Sequence, residues 1–334
     1  MTLVLQPEGG RRDRRRNLVV ALLLLVVFLL ALGVFTLLIQ GGKAPRVGLP
    51  GVLGTDDGNA RFDRAVSPVS RPIAVAVSPD GRRMYVAESA GAYAVQVFET
   101  KGSPIAAMSP PHTTETTRQP MGVAVGTDGT VYVTDRRLRQ IMMFEADGTY
   151  RDVLRPAGID SWAPLAITVD RDGLIYVAEA LDLPELQRHR IYVLQPDGVV
   201  VRQFGQKGDA SSDLMFPSSL AVDDLGRIWV GDMTGVKVFG PDGVFKFRLR
   251  TEGEGAVALP GGMAVRNSRV YISDSINHRV VIYDASQDAV VPAGGFGTLG
   301  NGKGQFRYPA GIAVSDSRIY IADRENGRID IWTP

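Results

Sequence analysis

Six carboxylates recur at matched places along this 334-residue chain: Glu88, Asp135, Glu179, Asp232, Asp274 and Asp323. Each stands three residues after an aromatic side chain, Tyr85, Tyr132, Tyr176, Trp229, Tyr271 and Tyr320 in turn. Acids gathered in one place can bind a divalent cation or divide general-acid and general-base roles. The spacing points to a different task. In Asp274/Arg279 and Asp323/Arg328 the arginine that opens the following strand is placed to pair with the acid, so these groups are expected to position hairpins. The three histidines, His112, His189 and His278, match the number that a catalytic zinc can use. His112 lies in a Pro/Thr-rich stretch and the other two precede strands, so no metal centre is expected from them. There is no Gly-x-Ser-x-Gly elbow, and the glycine-rich stretch Gly294–Gly304 lacks the Lys-Ser/Thr ending of a phosphate cradle. The expectation is no catalytic residue, no metal and no cofactor.

The elements that must hold these groups follow from the repeat. A proline, Pro72, Pro120, Pro164, Pro217, Pro260 or Pro309, opens a short apolar run, and the aromatic follows 11 to 13 residues later. Successive carboxylates are 42 to 53 residues apart. A unit of that length cannot bury its apolar face alone, so neighbouring units must cover it. Within a unit, alternating runs flank Asp-Gly turns such as Asp80-Gly81, Asp128-Gly129 and Asp172-Gly173, and a third strand such as Arg279–Tyr283 follows the carboxylate. A second set of turns, Asp147-Gly148, Asp197-Gly198 and Asp242-Gly243, leads into a fourth. Four strands in each of six units predict an all-β, six-bladed β-propeller.

The motif Pro309-Ala310-Gly311-Ile312-Ala313-Val314, then Tyr320-Ile321-Ala322-Asp323, then Asn326-Gly327-Arg328-Ile329, resembles the NHL repeat, and all six units share its outline. Units one and four depart most from it, and the full Asn-x-Arg step stands in units five and six, at Asn277–Arg279 and Asn326–Arg328. The resemblance implies a propeller that is either a binding module or, as the alternative, a metal-dependent hydrolase or lyase with a site in the central channel. Amidating lyases of similar repeat take zinc-binding histidines from the position after the opening proline. Here those positions are Ile73, Met121, Leu165, Ser218, Gly261 and Ala310, which disfavours the enzyme. A calcium site of the lactonase-like kind would need several converging carboxylate and amide oxygens, and no such set is evident in the spacing.

Closure of the ring is expected to use both chain ends. The last unit stops after its third strand, at Ile331-Trp332-Thr333-Pro334, and Val47–Leu53 resembles the missing fourth strand. Residues 47–53 are therefore expected to pair with the strand holding Ile329 and Ile331, which leaves no open edge at the seam.

Charge divides unevenly along the chain. Of 37 basic and 36 acidic residues, five arginines and two acids lie in the first 16 residues, leaving 32 and 34 for the rest. That balance removes an electrostatic case for nucleic acid. Leu18–Ile39 carries no charge and is long enough, at about 1.5 Å per helical residue, to span a bilayer core of about 30 Å. The expected order is a basic cytoplasmic tail (1–16), a transmembrane α-helix (17–39), a juxtamembrane linker (40–46) and the propeller (47–334). A secretory signal would have a shorter apolar core and a small-residue cleavage site, which Leu38-Ile39-Gln40 does not supply. Arg11, Arg12, Arg14, Arg15 and Arg16 hold the N-terminus in the cytoplasm, which puts the propeller outside a bacterial-type cell membrane. The chain contains no cysteine, so it has no disulfide or thiol chemistry.

One interval stands out. The distance from the carboxylate to the first aliphatic of the next strand is 12 residues in the third unit and 4 to 7 in the others. The inserted stretch, Ala180–Arg190, is expected to be a binding loop carrying Leu183, Arg188, His189 and Arg190. With Arg136, Arg137 and Arg139 of the preceding unit it would form a basic rim on the face turned away from the membrane. Such a rim suits an acidic envelope protein or an anionic glycan.

Overall fold

The computed structural model describes residues 60–253 and 255–334. The first blade is β2 (Pro72–Val77), β3 (Arg83–Glu88), β4 (Val95–Glu99) and β5 (Pro104–Met108), preceded by β1 (Arg61–Val66). The second is β6 (Pro120–Val125), β7 (Val131–Asp135), β8 (Gln140–Phe144) and β9 (Tyr150–Leu154). The third is β10 (Pro164–Val169), β11 (Ile175–Leu183), β12 (Leu186–Leu194) and β13 (Val200–Phe204). The fourth is β14 (Ser219–Val222), β15 (Ile228–Asp232), β16 (Gly235–Phe239) and β17 (Phe245–Arg248). The fifth is β18 (Pro260–Arg266), β19 (Arg269–Asp274), β20 (Arg279–Asp284) and β21 (Val291–Phe296). A short parallel pair, β22 (Thr298–Leu299) and β23 (Gln305–Phe306), leads to the sixth: β24 (Pro309–Val314), β25 (Ile319–Asp323) and β26 (Arg328–Thr333).

Each blade is a four-stranded antiparallel sheet, and its first strand lies innermost. The inner strands touch in sequence, and β24 returns to β2, so six blades close a ring. Prolines open inner strands because the lost N–H falls at a strand start. The Asp-Gly turns joining first to second and third to fourth strands lie on one face of the ring, here the hairpin face. Opening prolines and second-to-third-strand turns lie on the other, the proline face.

The core is divided among six apolar clusters, each filled from two adjacent blades. Tyr85, Val97, Val123 and Phe144 fill the joint between blades one and two. Trp229, Val238, Ile272 and Tyr283 fill that between four and five. The cluster of Val75, Val86, Ile329 and Ile331 joins blade six to blade one. No blade buries its apolar faces without both neighbours, which is the physical content of the repeat length.

Where the inner strands approach one another, the side chains are small. A Cβ on Gly311 would meet backbone atoms of the first blade, with Ala74 Cα at 2.5 Å and Ile73 O at 2.9 Å. A Cβ on Gly262 would meet Gly311 Cα at 2.7 Å. These glycines set how tightly the ring closes.

Two expectations need correction. The outer neighbour of β26 is β1, with Arg64 opposite Ile331 and Val66 opposite Ile329, so residues 61–66 occupy the place foreseen for 47–53. Residues 47–53 lie outside the described residues, as does the expected membrane span at 17–39. Val66 is buried in the cluster between blades six and one, and Phe62 packs edge-on against Trp332 with centroids 5.8 Å apart. Arg61, Asp63 and the other polar side chains of β1 suit an outer strand with one face in water, whereas Gly48 and Gly51 leave the rival segment few side chains to pack. Among the described residues no helix is long and apolar enough to cross a membrane.

The second correction concerns the third blade. Ala180–Arg190 is not an open loop. β11 and β12 run on as nine-residue strands paired out to Leu183 and Leu186, leaving Pro184 and Glu185 as the turn.

Candidate functional site: the channel and its proline-face rim

The six carboxylates are all buried at the proline-face ends of their strands, and each is tied to the backbone or side chains around it. In five of them the carboxylate accepts an N–H from the connection that enters the inner strand of its own blade. Glu88 accepts from Ser70 at 2.8 Å, Asp135 from Gln119 at 2.7 Å and Asp232 from Met215 at 2.9 Å. Asp274 accepts from Leu259 at 3.3 Å and Asp323 from Arg307 at 2.7 Å. Glu179 receives Arg188 in bidentate fashion, at 3.2 and 3.0 Å, and the Tyr192 hydroxyl at 3.1 Å. These acids pin the entry of an inner strand to the end of the second strand.

The Asn-x-Arg step reads the same acid. Asn326 Nδ2 lies 2.6 Å and Arg328 Nε 3.0 Å from Asp323, while Asn277 Nδ2 reaches Asp274 at 2.8 Å and Arg279 is 3.6 Å away. The step is present in blades five and six; blades one and four instead use a residue two positions further along the third strand. Gln96 Nε2 reaches Glu88 at 3.1 Å, and Lys237 Nζ meets Asp232 at 2.5 Å with both side chains almost wholly buried. Burial raises the Asp135 and Asp323 carboxyls, although backbone N–H groups and, at Asp323, Arg328 pull the other way.

Blade six places an acid, Asp330, where blades one and four place Gln96 and Lys237. Asp330 is fully buried, 2.9 Å from Arg328, and burial, aided by the nearby Asp323 charge, pushes its carboxyl up to about 7.

Two of the three histidines perform one structural task twice. The Phe216 N–H donates to His189 Nδ1 at 3.2 Å, and the Tyr308 N–H donates to His278 Nδ1 at 3.0 Å. Each ring also packs on the aromatic whose N–H it accepts, with centroids 4.8 and 4.9 Å apart. His189 and His278 thus sit in separate joints, and His112 is exposed elsewhere. Among the described residues no cluster of histidine and carboxylate side chains is arranged to hold a metal ion.

The foreseen rim is only partly assembled. Arg136, Arg137 and Arg139 are exposed on one turn of blade two. Arg137 is held by the Thr116 carbonyl at 2.8 Å and lies over the Tyr93 ring, 5.7 Å from its centroid. Arg188 turns inward to Glu179, and His189 is fully buried, bridging Phe216 and Asp182. Arg190 is half-buried and donates to Gln203 at 3.1 Å, while Leu183 is half-buried opposite Leu186. Strand pairing sends the neighbours Arg188 and His189 to opposite faces of the blade, where Glu179 and the Phe216 N–H meet them, an order that a loop would not impose.

Concavity lies mainly on the opposite face. A funnel of about 1040 Å³ opens among the hairpin turns, lined by Asp80, Asp170, Asp224, Arg266 and Asp316 among others. It meets a channel space of about 290 Å³ lined by the inner strands. Around the funnel, Arg171 pairs with Asp224 at 3.0 Å, Asp224 accepts the Ser268 N–H at 2.8 Å, and Arg266 pairs with Asp316. These contacts stitch blades three to six together. The sequence contained a sign of the histidine joints that was passed over: His-Arg in one unit (His189-Arg190, His278-Arg279) is followed by aromatic-Pro in the next (Phe216-Pro217, Tyr308-Pro309). The funnel contacts had no such sign, because they join turns of different blades.

Ring closure, blade topology and buried carboxylates define a six-bladed β-propeller of the repeat type. Residues 306–332 match the NHL repeat family model, and the sixth blade is therefore an NHL repeat. No curated protein matches the chain. Among solved structures, a gluconolactonase from Xanthomonas campestris is similar at 18% identity, with 86% of this chain and 99% of that one covered and a TM-score of 0.59. A catalytically inactive virginiamycin B lyase from Staphylococcus aureus with quinupristin shares 17% identity over 80% of this chain and 82% of its own, at a TM-score of 0.55. A PQQ-bound aldose sugar dehydrogenase from Streptomyces coelicolor shares 16% identity over 82% and 98%, at 0.56. At these identities the likeness concerns the fold.

Proposed function

We propose that this chain is a membrane-anchored, extracytoplasmic NHL-type propeller that serves as a non-catalytic binding module for an anionic partner, an acidic envelope protein or an anionic glycan. The observation that carries the reading is the exposed turn of Arg136, Arg137 and Arg139, in which the Arg137 guanidinium is fixed by the Thr116 carbonyl and the Tyr93 ring between its two exposed neighbours. Guanidinium groups present a planar fork matched to carboxylate or sulfate-like oxygens, and a turn fixed on a rigid blade loses little freedom on binding. The buried carboxylates, which are the natural acid/base candidates, are engaged in joints between strands. Anchorage rests on the uncharged run Leu18–Ile39 and the arginines before it. β1 enters its sheet at the hairpin face, since Arg61 pairs with Thr333.

Crosslinking in intact membranes tests the reading. The wild-type chain is expected to give a discrete crosslinked partner that is lost in R136A/R137A/R139A, with the thermal midpoint unchanged. Crosslinks that persist in the variant reject the arginine turn. The alternative, a metal-dependent hydrolase or lyase working in the channel, is favoured instead by one zinc or calcium ion per chain in metal analysis of the purified full-length protein.

A further inference from the structure

Phe216 and Tyr308 each stand immediately before a blade-opening proline, and both adopt left-handed backbone, with φ of 52° and 55°. That region is disfavoured for a residue with a side chain; Arg71, before Pro72, shares it at φ 49°, and the histidine contact is an addition at two of these three entries. In both places the backbone N–H is held by a histidine Nδ1 of the preceding blade, His189 for Phe216 and His278 for Tyr308. Accepting a backbone N–H requires Nδ1 to carry no proton, so each bond exists only while the ring is neutral and protonated at Nε2. At His189 that tautomer lets Nε2 donate to Asp182 Oδ2 at 3.4 Å, whereas a protonated Nδ1 would exchange the Phe216 N–H for the Leu214 carbonyl, 3.3 Å away. Two residues beyond each latched residue lie Ser218 and Ala310, at the proline-face entrance of the inner strands.

We propose that His189 and His278 are proton-released latches on the channel mouth, keeping the entries to blades four and six in place at neutral pH and freeing them in acid. The duplication of one geometry at two joints carries the inference, independently of the function proposed above.

The two latches face different charges. Asp182, itself paired with Lys207 at 2.6 Å, faces His189, with Arg188 and Arg190 adjacent on the same strand. Arg307, Asp274 and Asp323 face His278, where burial and Arg307 hold the imidazole below its usual range.

Hydrogen–deuterium exchange of the full-length protein, corrected for intrinsic rates, reads the latches directly. Between about pH 7.5 and about pH 5 the protection of the Phe216 and Tyr308 amides is expected to fall by about tenfold for each pH unit below the latch's own titration point. Amides of the β7–β8 pair serve as the unchanged reference. In H189N/H278N, whose side-chain oxygens can accept the same N–H without titrating, protection is expected to be independent of pH; H112N is expected to behave as wild type. Wild-type protection at Phe216 and Tyr308 that does not change with pH overturns the proposal whether or not the variant folds. So does a pH response that survives in a folded H189N/H278N.

Discussion

At the scale of single residues, the repeating acid is a joint and its partner is interchangeable. Asp323 takes Asn326 and Arg328, Glu88 takes Gln96, Glu179 takes Arg188, and Asp232 takes Lys237. The Asp232–Lys237 pair is nearly without solvent, so removing one member leaves an uncompensated charge. D232A is expected to cost roughly 3–5 kcal/mol in urea unfolding, and D232L/K237M to recover the part due to the orphaned lysine but not that of the Met215 and Thr234 N–H groups. A double variant no more stable than D232A would show that the orphaned lysine carries none of the cost. Asp330 gives a pH signature of known sign. Its folded carboxyl lies near 7, above the ordinary 3.8, so the folded state binds the extra proton between those values. Stability from this group is complete below about pH 4 and declines as pH rises to about 7. Relative to D330N, the wild type is expected to lose at most about 1.4 kcal/mol per pH unit across that window. Parallel stability–pH curves for the two proteins would remove Asp330 as the titrating group.

At the scale of elements, inner strands and the seam decide stability. G311A puts a methyl group against backbone of the first blade, which cannot move aside as a side chain can. Overpacking of this kind is expected to cost about 1–3 kcal/mol, read as a lowered urea midpoint. At the seam, β1 contributes Phe62 and Val66 to apolar joints. F62A/V66A is expected to lower the thermal midpoint by several degrees, at a cost of roughly 2–4 kcal/mol. An unchanged midpoint would show that β1 is dispensable for closure. The use of both chain ends in one blade was legible, because the last unit visibly lacks a strand. The identity of the closing strand was not. An outer strand needs only alternate apolar contacts, and Arg61-Phe62-Asp63-Arg64 reads as a linker until Phe62 is seen on Trp332. The same limit applied to Ala180–Arg190: length alone cannot separate a loop from a hairpin, and only the pairing through Leu183 and Leu186 shows which residues turn inward.

At the scale of the whole molecule, every apolar cluster is shared by two blades, so a blade cannot unfold without exposing a neighbour. Cooperative loss of the described propeller is the expected result. Trp229 reports on the joint between blades four and five, and Trp332 on that between five and six. I331A, which opens the joint between blades six and one, is expected to cost about 2–5 kcal/mol and to shift the fluorescence transitions of both tryptophans together. Separated transitions would show blades melting independently. Fold class, blade number and the pairing of Asp274 and Asp323 with their arginines were determined by the sequence alone, because they depend on local alternation, turn residues and a fixed repeat. The closing strand, the inward turn of Arg188 and His189, the two histidine joints and the funnel on the hairpin face were decided only by the tertiary structure. Each brings together residues from different blades, or turns a side chain by strand pairing, and the physical terms that select among such contacts act across the ring.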